Sequence, residues 1–203
     1  MWYAEAVRWA AGSGVAYRAT ADGNVTVMSP EDGVAFGTVD KFDTTVPVEK
    51  PENISSIEVL KEKLAPYVEK NPNIFYMLKA TGTFGKMHIR SCYACEKPYP
   101  TLSEAASHQK EFQYQNVSGS VIAVYCPPYV EGINLPGWHF HFLSQDKTTG
   151  GHILGLQADS LSLQLNPILD WKLLPENPEF ASRDLCEDLS AKTAAAVEGN
   201  AKH

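Results

Sequence analysis

Apolar and polar positions alternate through much of the first third of the chain. Residues 14–20 and 24–28 are two such runs on either side of Asp22-Gly23, and Asp-Gly between alternating runs predicts a β-hairpin. Residues 34–42 give another extended run, and the stretch from Pro47 to Asn53 reads as a loop. The period then changes. Ile57, Leu60, Leu64 and Val68 fall on one face of a helix expected over residues 55–69. Ser55 or Ser56 is positioned to cap its start, and Pro66 is expected to weaken or kink its last turn. β-Structure resumes at 73–79 and 84–90, with a Gly-containing turn expected between them. Residues 101–108 suit a short surface helix or a loop. Strands are expected at 119–125, 137–144, 152–156 and 160–165, each bounded by Pro, Gly, Asn or Asp. Helical spacing returns over 182–197, with Leu185, Leu189 and Ala196 on the apolar face. The fold class is α+β: two β-rich lobes of mainly antiparallel or mixed sheet, one curled or barrel-like, with a C-terminal helix. The expected division is residues 1–80, a sheet-plus-helix lobe, and residues 81–203.

The chemistry concentrates in Leu135-Pro-Gly-Trp-His-Phe-His-Phe-Leu-Ser144. Alternate side chains of a strand share a face, so His139, His141 and Leu143 point one way and Trp138, Phe140 and Phe142 the other. Residues 145–151 reverse the chain, with Gly150-Gly151 available for unusual backbone angles. His152 then opens the returning strand, where it can face the first two imidazoles. Three neutral imidazoles around a zinc ion leave coordination positions open, which is the catalytic arrangement. Iron sites more often combine two histidines with a carboxylate. The plainer alternative is an ordinary hairpin with histidines on its surface or in its core. Against it, three of the six histidines lie within this short segment, two in strict alternation with aromatics. His88 and His108 have no such companions and read as non-ligands; His203 is terminal and uninformative.

Bulk properties narrow the partners. With 203 residues, 44% of them apolar, the chain can bury one substantial core or two small lobes. A net charge of −7 with Lys and Arg scattered argues against nucleic acid. No apolar run is long enough to span a bilayer, and the start carries Glu5 and Arg8 without a signal-peptide pattern, so the expected location is cytoplasmic. Of the four cysteines only Cys92 and Cys95 are closely spaced. A lone C-x-x-C lacks the further ligands of a structural zinc site, so these read as reduced thiols in or beside a strand. Neither a G-x-G-x-x-G run nor a P-loop is present.

The histidine block, with Gly150-Gly151-His152 after it, is similar to the signature of the acetolactate decarboxylase family: Pro-Gly-aromatic-His-x-His-Phe, then Gly-Gly-His. Two further blocks resemble that family: Gly82–Ser91 with Lys97–Leu102, and Gly119–Pro127. The similarity runs from Val15 to about Glu198. It implies zinc held by His139, His141 and His152, and makes Arg90, of the Arg90-Ser91 pair, the active-site arginine. It also implies a glutamate offered by the end of the C-terminal helix, which Glu198 matches in position. The family's early glutamate lies in a Leu-Asp-Gly-Glu run. This chain departs from that run and looks shortened at its start; Glu5 is the nearest candidate.

The implied reaction is decarboxylation of 2-acetolactate, a 2-hydroxy-3-oxo acid, to acetoin and carbon dioxide through an enediolate. Zinc would act as Lewis acid, Arg90 would orient the carboxylate, and Glu198, with or without Glu5, would deliver a proton to one face. No organic cofactor is implied, and the assembly implied is a homodimer joined through the first-lobe sheet. Plainer roles stand beside these: a structural ion pair for Arg90, an exposed helix-end carboxylate for Glu198, a terminal charge for Glu5. Rival functions are the same scaffold acting on another 2-hydroxy-3-oxo acid, an isomerisation through the same enediolate, or a metal-holding homologue with impaired catalysis. A cupin-like barrel would want a Glu shortly after His-x-His, and none is there.

Overall fold

The computed structural model describes residues 6–7, 15–32, 42, 45–96, 100, 102–131, 133–170, 178 and 182. Strands β1 (Ala6–Val7), β2 (Tyr17–Ala19) and β3 (Val25–Val27) form a three-stranded antiparallel sheet in that order. The expected hairpin is β2–β3, with Tyr17 opposite Val27 and Ala19 opposite Val25. Gly23 takes φ +88°, a conformation that favours glycine. The Asp22 carboxylate accepts from the Asn24 backbone N–H at 3.1 Å, closing the turn.

Helix α1 (Ile57–Val68) starts at Ser56, whose side chain accepts from the Val59 N–H at 3.3 Å. All four predicted apolar positions are buried. The helix continues through Pro66 to Val68, and the Glu69 N–H bonds the Ala65 carbonyl at 2.9 Å. One missing donor in the last turn therefore does not end it. The segment expected as loop over 47–53 runs into a short strand, β4 (Glu52–Ile54), anchored by the buried Ile54.

The larger sheet departs from expectation at its longest strand. Residues 73–79 and 84–90 belong to one continuous strand, β5 (Phe75–Cys92), and no turn separates them. Gly82 is there for packing: a Cβ on it would lie 2.8 Å from Leu161 Cδ2 and 3.1 Å from the Ser160 carbonyl oxygen. Its cross-strand partner in β6 (Gln109–Cys126) is another glycine, Gly119, where a Cβ would meet the Leu143 carbonyl oxygen at 2.5 Å. Glycine inside a strand marks close approach as well as turns. The expected division after residue 80 falls within β5.

Between β5 and β6 lies helix α2 (Leu102–Ser107), and a 3₁₀ turn at Pro128–Val130 follows β6. Then come β7 (Gly137–Ser144), β8 (Gly150–Ser160) and β9 (Ser162–Ile168). The sheet order is β4-β8-β7-β6-β5-β9, with β8 also paired to β5. The pairings β5–β6, β6–β7, β7–β8 and β8–β5 therefore form a cycle, and every named strand pair is antiparallel. The core collects Leu60 and Leu64 of α1 with Leu78, Phe84, Val121 and Phe142 of the sheet. The described fold is mostly antiparallel sheet with few helices. The helix expected over 182–197, Glu5, Glu198 and Cys186 lie outside the described residues, Ser182 excepted; so does the run expected over 34–42, apart from Phe42.

Candidate metal centre

Strand β7 sorts its side chains as the alternation predicts. Phe140 and Phe142 are buried in the main core, with Trp138 packed against it. Phe142 meets Phe84 edge-on at 5.5 Å between centroids, and Trp138 stacks on Phe140 at 5.6 Å. On the other face Leu143 packs with Tyr17 of the N-terminal hairpin.

The turn after β7 is closed by Asp146. Its carboxylate accepts from the Ser144 hydroxyl at 2.6 Å and from the Thr148 N–H and hydroxyl at 3.1 and 2.9 Å. Three donors hold that carboxyl below its usual range, the Ser144 hydroxyl first. Lys147, at φ +62°, and Gly151, at φ +154°, take the unusual backbone angles of this segment, Gly151 as the sequence predicts. A Cβ on Gly151 would fall on the Arg90 carbonyl oxygen, and one on Gly150 would lie 2.8 Å from the Phe142 carbonyl oxygen. The two glycines let β8 lie close to both neighbours.

His152 stands at the seam of the strand cycle. It is opposite His141 in the β7–β8 ladder and opposite Arg90 in the β5–β8 ladder. The β7–β8 ladder ends there, after only His141↔His152, Phe142↔Gly151 and Leu143↔Gly150. A register shift follows at once in β5–β8, between His88 and Ile89. Such bulges redirect side chains beside functional sites.

The three imidazoles converge as the sequence predicts. Ring centroids are 4.7 Å apart for His139–His141, 4.6 Å for His139–His152 and 5.4 Å for His141–His152. The Nε2 atoms of His139 and His141 are 2.8 Å apart, and one ligand atom from each of the three residues lies within 4.8 Å of the others. His152 is fully buried, and neither of its ring nitrogens has a hydrogen-bond partner among the described residues. Leaving two such atoms unsatisfied is costly, and a metal bond to one of them offsets that cost. Burial, then His139, then Arg90 hold the imidazoles of His141 and His152 well below the usual histidine range. They are therefore neutral, the form that ligates metal. This donor set fits a divalent cation of zinc's type.

Arg90 is 1% exposed and lies next to His152 in register. Its Nη1 donates to Cys92 Sγ at 3.4 Å. Two features here escaped the sequence analysis. Glu111 lies directly across from Arg90 in β6 and pairs with His88 at 2.8 Å. Cys92 touches the guanidinium. Both depend on strand register or side-chain contact, which no spacing in the sequence carries. His88 and His108 stand outside the cluster; His108 Nδ1 lies 3.1 Å from the Glu104 carbonyl. A groove of about 910 Å³ runs between residues 20–26 and the Cys92–Ala94 stretch, and none of the three histidines lines it. No helix among the described residues is long and apolar enough to cross a membrane.

The model of the alpha-acetolactate decarboxylase family matches residues 10–187. An alpha-acetolactate decarboxylase of Brevibacillus brevis is 35% identical over 174 residues, which is 84% of this chain and 60% of the relative. The one from Methanosarcina mazei is 34% identical over 177 residues, 85% of this chain and 60% of the relative. The chain thus spans about 60% of the length of these relatives. The crystal structure of alpha-acetolactate decarboxylase from Bacillus subtilis strain 168 superposes with a TM-score of 0.81 at 26% identity. That superposition covers 92% of this chain and 79% of the other.

Proposed function

We propose, since this chain belongs to the alpha-acetolactate decarboxylase family, that it is a zinc-dependent carboxy-lyase converting 2-acetolactate to acetoin and carbon dioxide. The observation that carries this reading is the buried His152, with neither ring nitrogen partnered among the described residues, facing His139 and His141. Bound there, zinc supplies a Lewis acid that polarises the adjacent oxygens of a 2-hydroxy-3-oxo acid. An all-imidazole cluster favours zinc over iron.

The chain's own residues do the rest. His139, His141 and His152, carried on paired strands of the sheet, would hold the metal. Arg90, permanently charged and packed beside His152, orients the substrate carboxylate and offsets negative charge that develops when carbon dioxide leaves. A carboxylic acid must then protonate one face of the carbon, and we assign that to Glu198, with Glu5 as a second candidate. The β5–β6–β7–β8 cycle supports a curled metal-binding lobe, with the segment before it forming the other lobe. The same reading includes a homodimer joined through the first-lobe sheet, a small-molecule substrate and a cytoplasmic location.

The test is release of acetoin and carbon dioxide from racemic 2-acetolactate. Activity is expected with added zinc, is abolished by excess chelator and returns on zinc addition. A zinc-loaded, folded protein that releases neither product sinks the proposal.

A further inference from the structure

We propose that Cys92 is a positioning residue for Arg90: its sulfur fixes the plane in which the guanidinium meets a substrate carboxylate. This rests on the function proposed above. Residues two apart on a strand share a face, and Arg90 and Cys92 occupy such positions at the end of β5. Arg90 Nη1 donates to Cys92 Sγ at 3.4 Å, and the two residues are 1% and 6% exposed. Arg90 is a long side chain whose value at a carboxylate lies in a planar fork of donors. A small rotation of that fork misplaces both donors at once, so one fixed nitrogen restrains the pair.

The sulfur is itself well anchored. Cys92 sits opposite Gln109 in the β5–β6 ladder, on the strand that carries Arg90 rather than on a loop. A buried free cysteine ordinarily acts as a small hydrophobe, for which any apolar residue of like size would serve. The directed contact with the guanidinium separates Cys92 from that role. Cys95 differs from it: its Sγ lies 3.6 Å from the Tyr93 carbonyl oxygen. The C-x-x-C spacing therefore holds two cysteines with different surroundings.

The test compares wild type, Cys92→Ala, Cys92→Ser and Cys95→Ser, all zinc-loaded. The measurements are kcat and KM for 2-acetolactate, zinc content, thermal midpoint, and calorimetric affinity for 2-hydroxy-2-methylbutanoate. That analogue has the carboxylate and hydroxyl but no ketone, so it cannot decarboxylate. Losing one modest hydrogen bond predicts a roughly five- to tenfold fall in kcat and in analogue affinity for Cys92→Ala, with zinc content unchanged. Cys92→Ser, which restores an acceptor, is expected to recover most of both, and Cys95→Ser to match wild type. If Cys92→Ala fails to fold, Cys92→Val takes its place with the same expected loss. The proposal is overturned if the apolar variant keeps wild-type kcat and affinity. It is equally overturned if Ala and Ser lose alike with a lowered thermal midpoint, which is a packing role. An analogue that binds wild type and Arg90→Lys alike, or not at all, overturns it too. Should wild type bind the analogue yet release no acetoin, the proposed function fails, and Cys92 is decided by the analogue affinities alone.

Discussion

His152 brings two ring nitrogens into a fully buried position where no described residue bonds them, so of the three proposed ligands it would gain most from a metal. His152→Ala or His141→Ala should lose most bound zinc; elemental analysis showing one zinc per chain in the double variant would remove the site. The same burial sets a pH dependence for the metal-free protein. His141 and His152 resist protonation in the folded chain, while in the unfolded chain they titrate near the usual ~6.5. As pH falls below that value the unfolded state takes up protons first. Stability is therefore full above it and declines as pH drops toward the lowered folded values. Urea midpoints of zinc-free protein should fall between pH 7.5 and 5.5, and fall less in a His141→Asn, His152→Asn variant; equal slopes would show that these imidazoles titrate normally in the fold. At Arg90, lysine keeps the charge but loses the fork, so zinc should stay while kcat drops on the order of 10²-fold. Near-normal turnover would make Arg90 structural. The histidines were legible in the sequence because a strand's period of two assigns faces without any knowledge of partners. Glu111 and the Arg90–Cys92 contact were not, because they depend on which strand lies alongside and on where a long side chain folds back.

Glycine decided where element-level expectation held and where it broke. At Gly23 the sequence reading was right, since Asp-Gly between alternating runs needs a left-handed residue and the structure has one. At Gly82 the same residue type suggests a turn, whereas its missing side chain admits Leu161 and the strand runs on unbroken. A glycine serves turns and close approaches equally well, and only the neighbouring chain tells which. At Gly150-Gly151 both uses meet: Gly151 takes φ +154°, the unusual angle the sequence suggests, and a Cβ on either residue would meet a neighbouring strand's carbonyl. Gly151→Ala should therefore act on the site through the β5–β8 ladder. Its methyl group would press on the Arg90 carbonyl and displace β8 where His152 begins the next pairing. Alanine is also strained at the φ of +154° that Gly151 adopts, so we expect a loss of at least about 1–3 kcal/mol in stability, together with weakened zinc binding. Unchanged chemical denaturation and zinc content would mean that the ladder yields there at no cost.

At the scale of the whole molecule the histidine cluster lies at the seam of the strand cycle, and that placement predicts how far zinc bound there would stabilise the fold. β8 pairs with β7 only from Gly150 to His152 and with β5 from His152 onward, so His152 is the point where one strand changes partners. Beyond it β7 continues along β6 alone, carrying His139 away from any β8 partner. A cation bonded to His139, His141 and His152 would tie the two strands together just past the end of their ladder, where β7 and β8 share no further backbone pairing. Zinc held there would bind the folded chain much more tightly than the unfolded one, because only folding assembles donors from both strands. At free zinc about a thousandfold above its dissociation constant, that linkage is worth about 4 kcal/mol. For a chain of this length it corresponds to a thermal midpoint on the order of 10 °C higher than in excess chelator. Scanning calorimetry with and without chelator measures the difference directly. The shift should disappear in the His139→Ala, His141→Ala double variant, which keeps His152 and the ladder but lacks two of the donors. A wild-type shift of a degree or less would mean that the metal is held loosely at one strand, and that the β7–β8 seam is closed by packing alone.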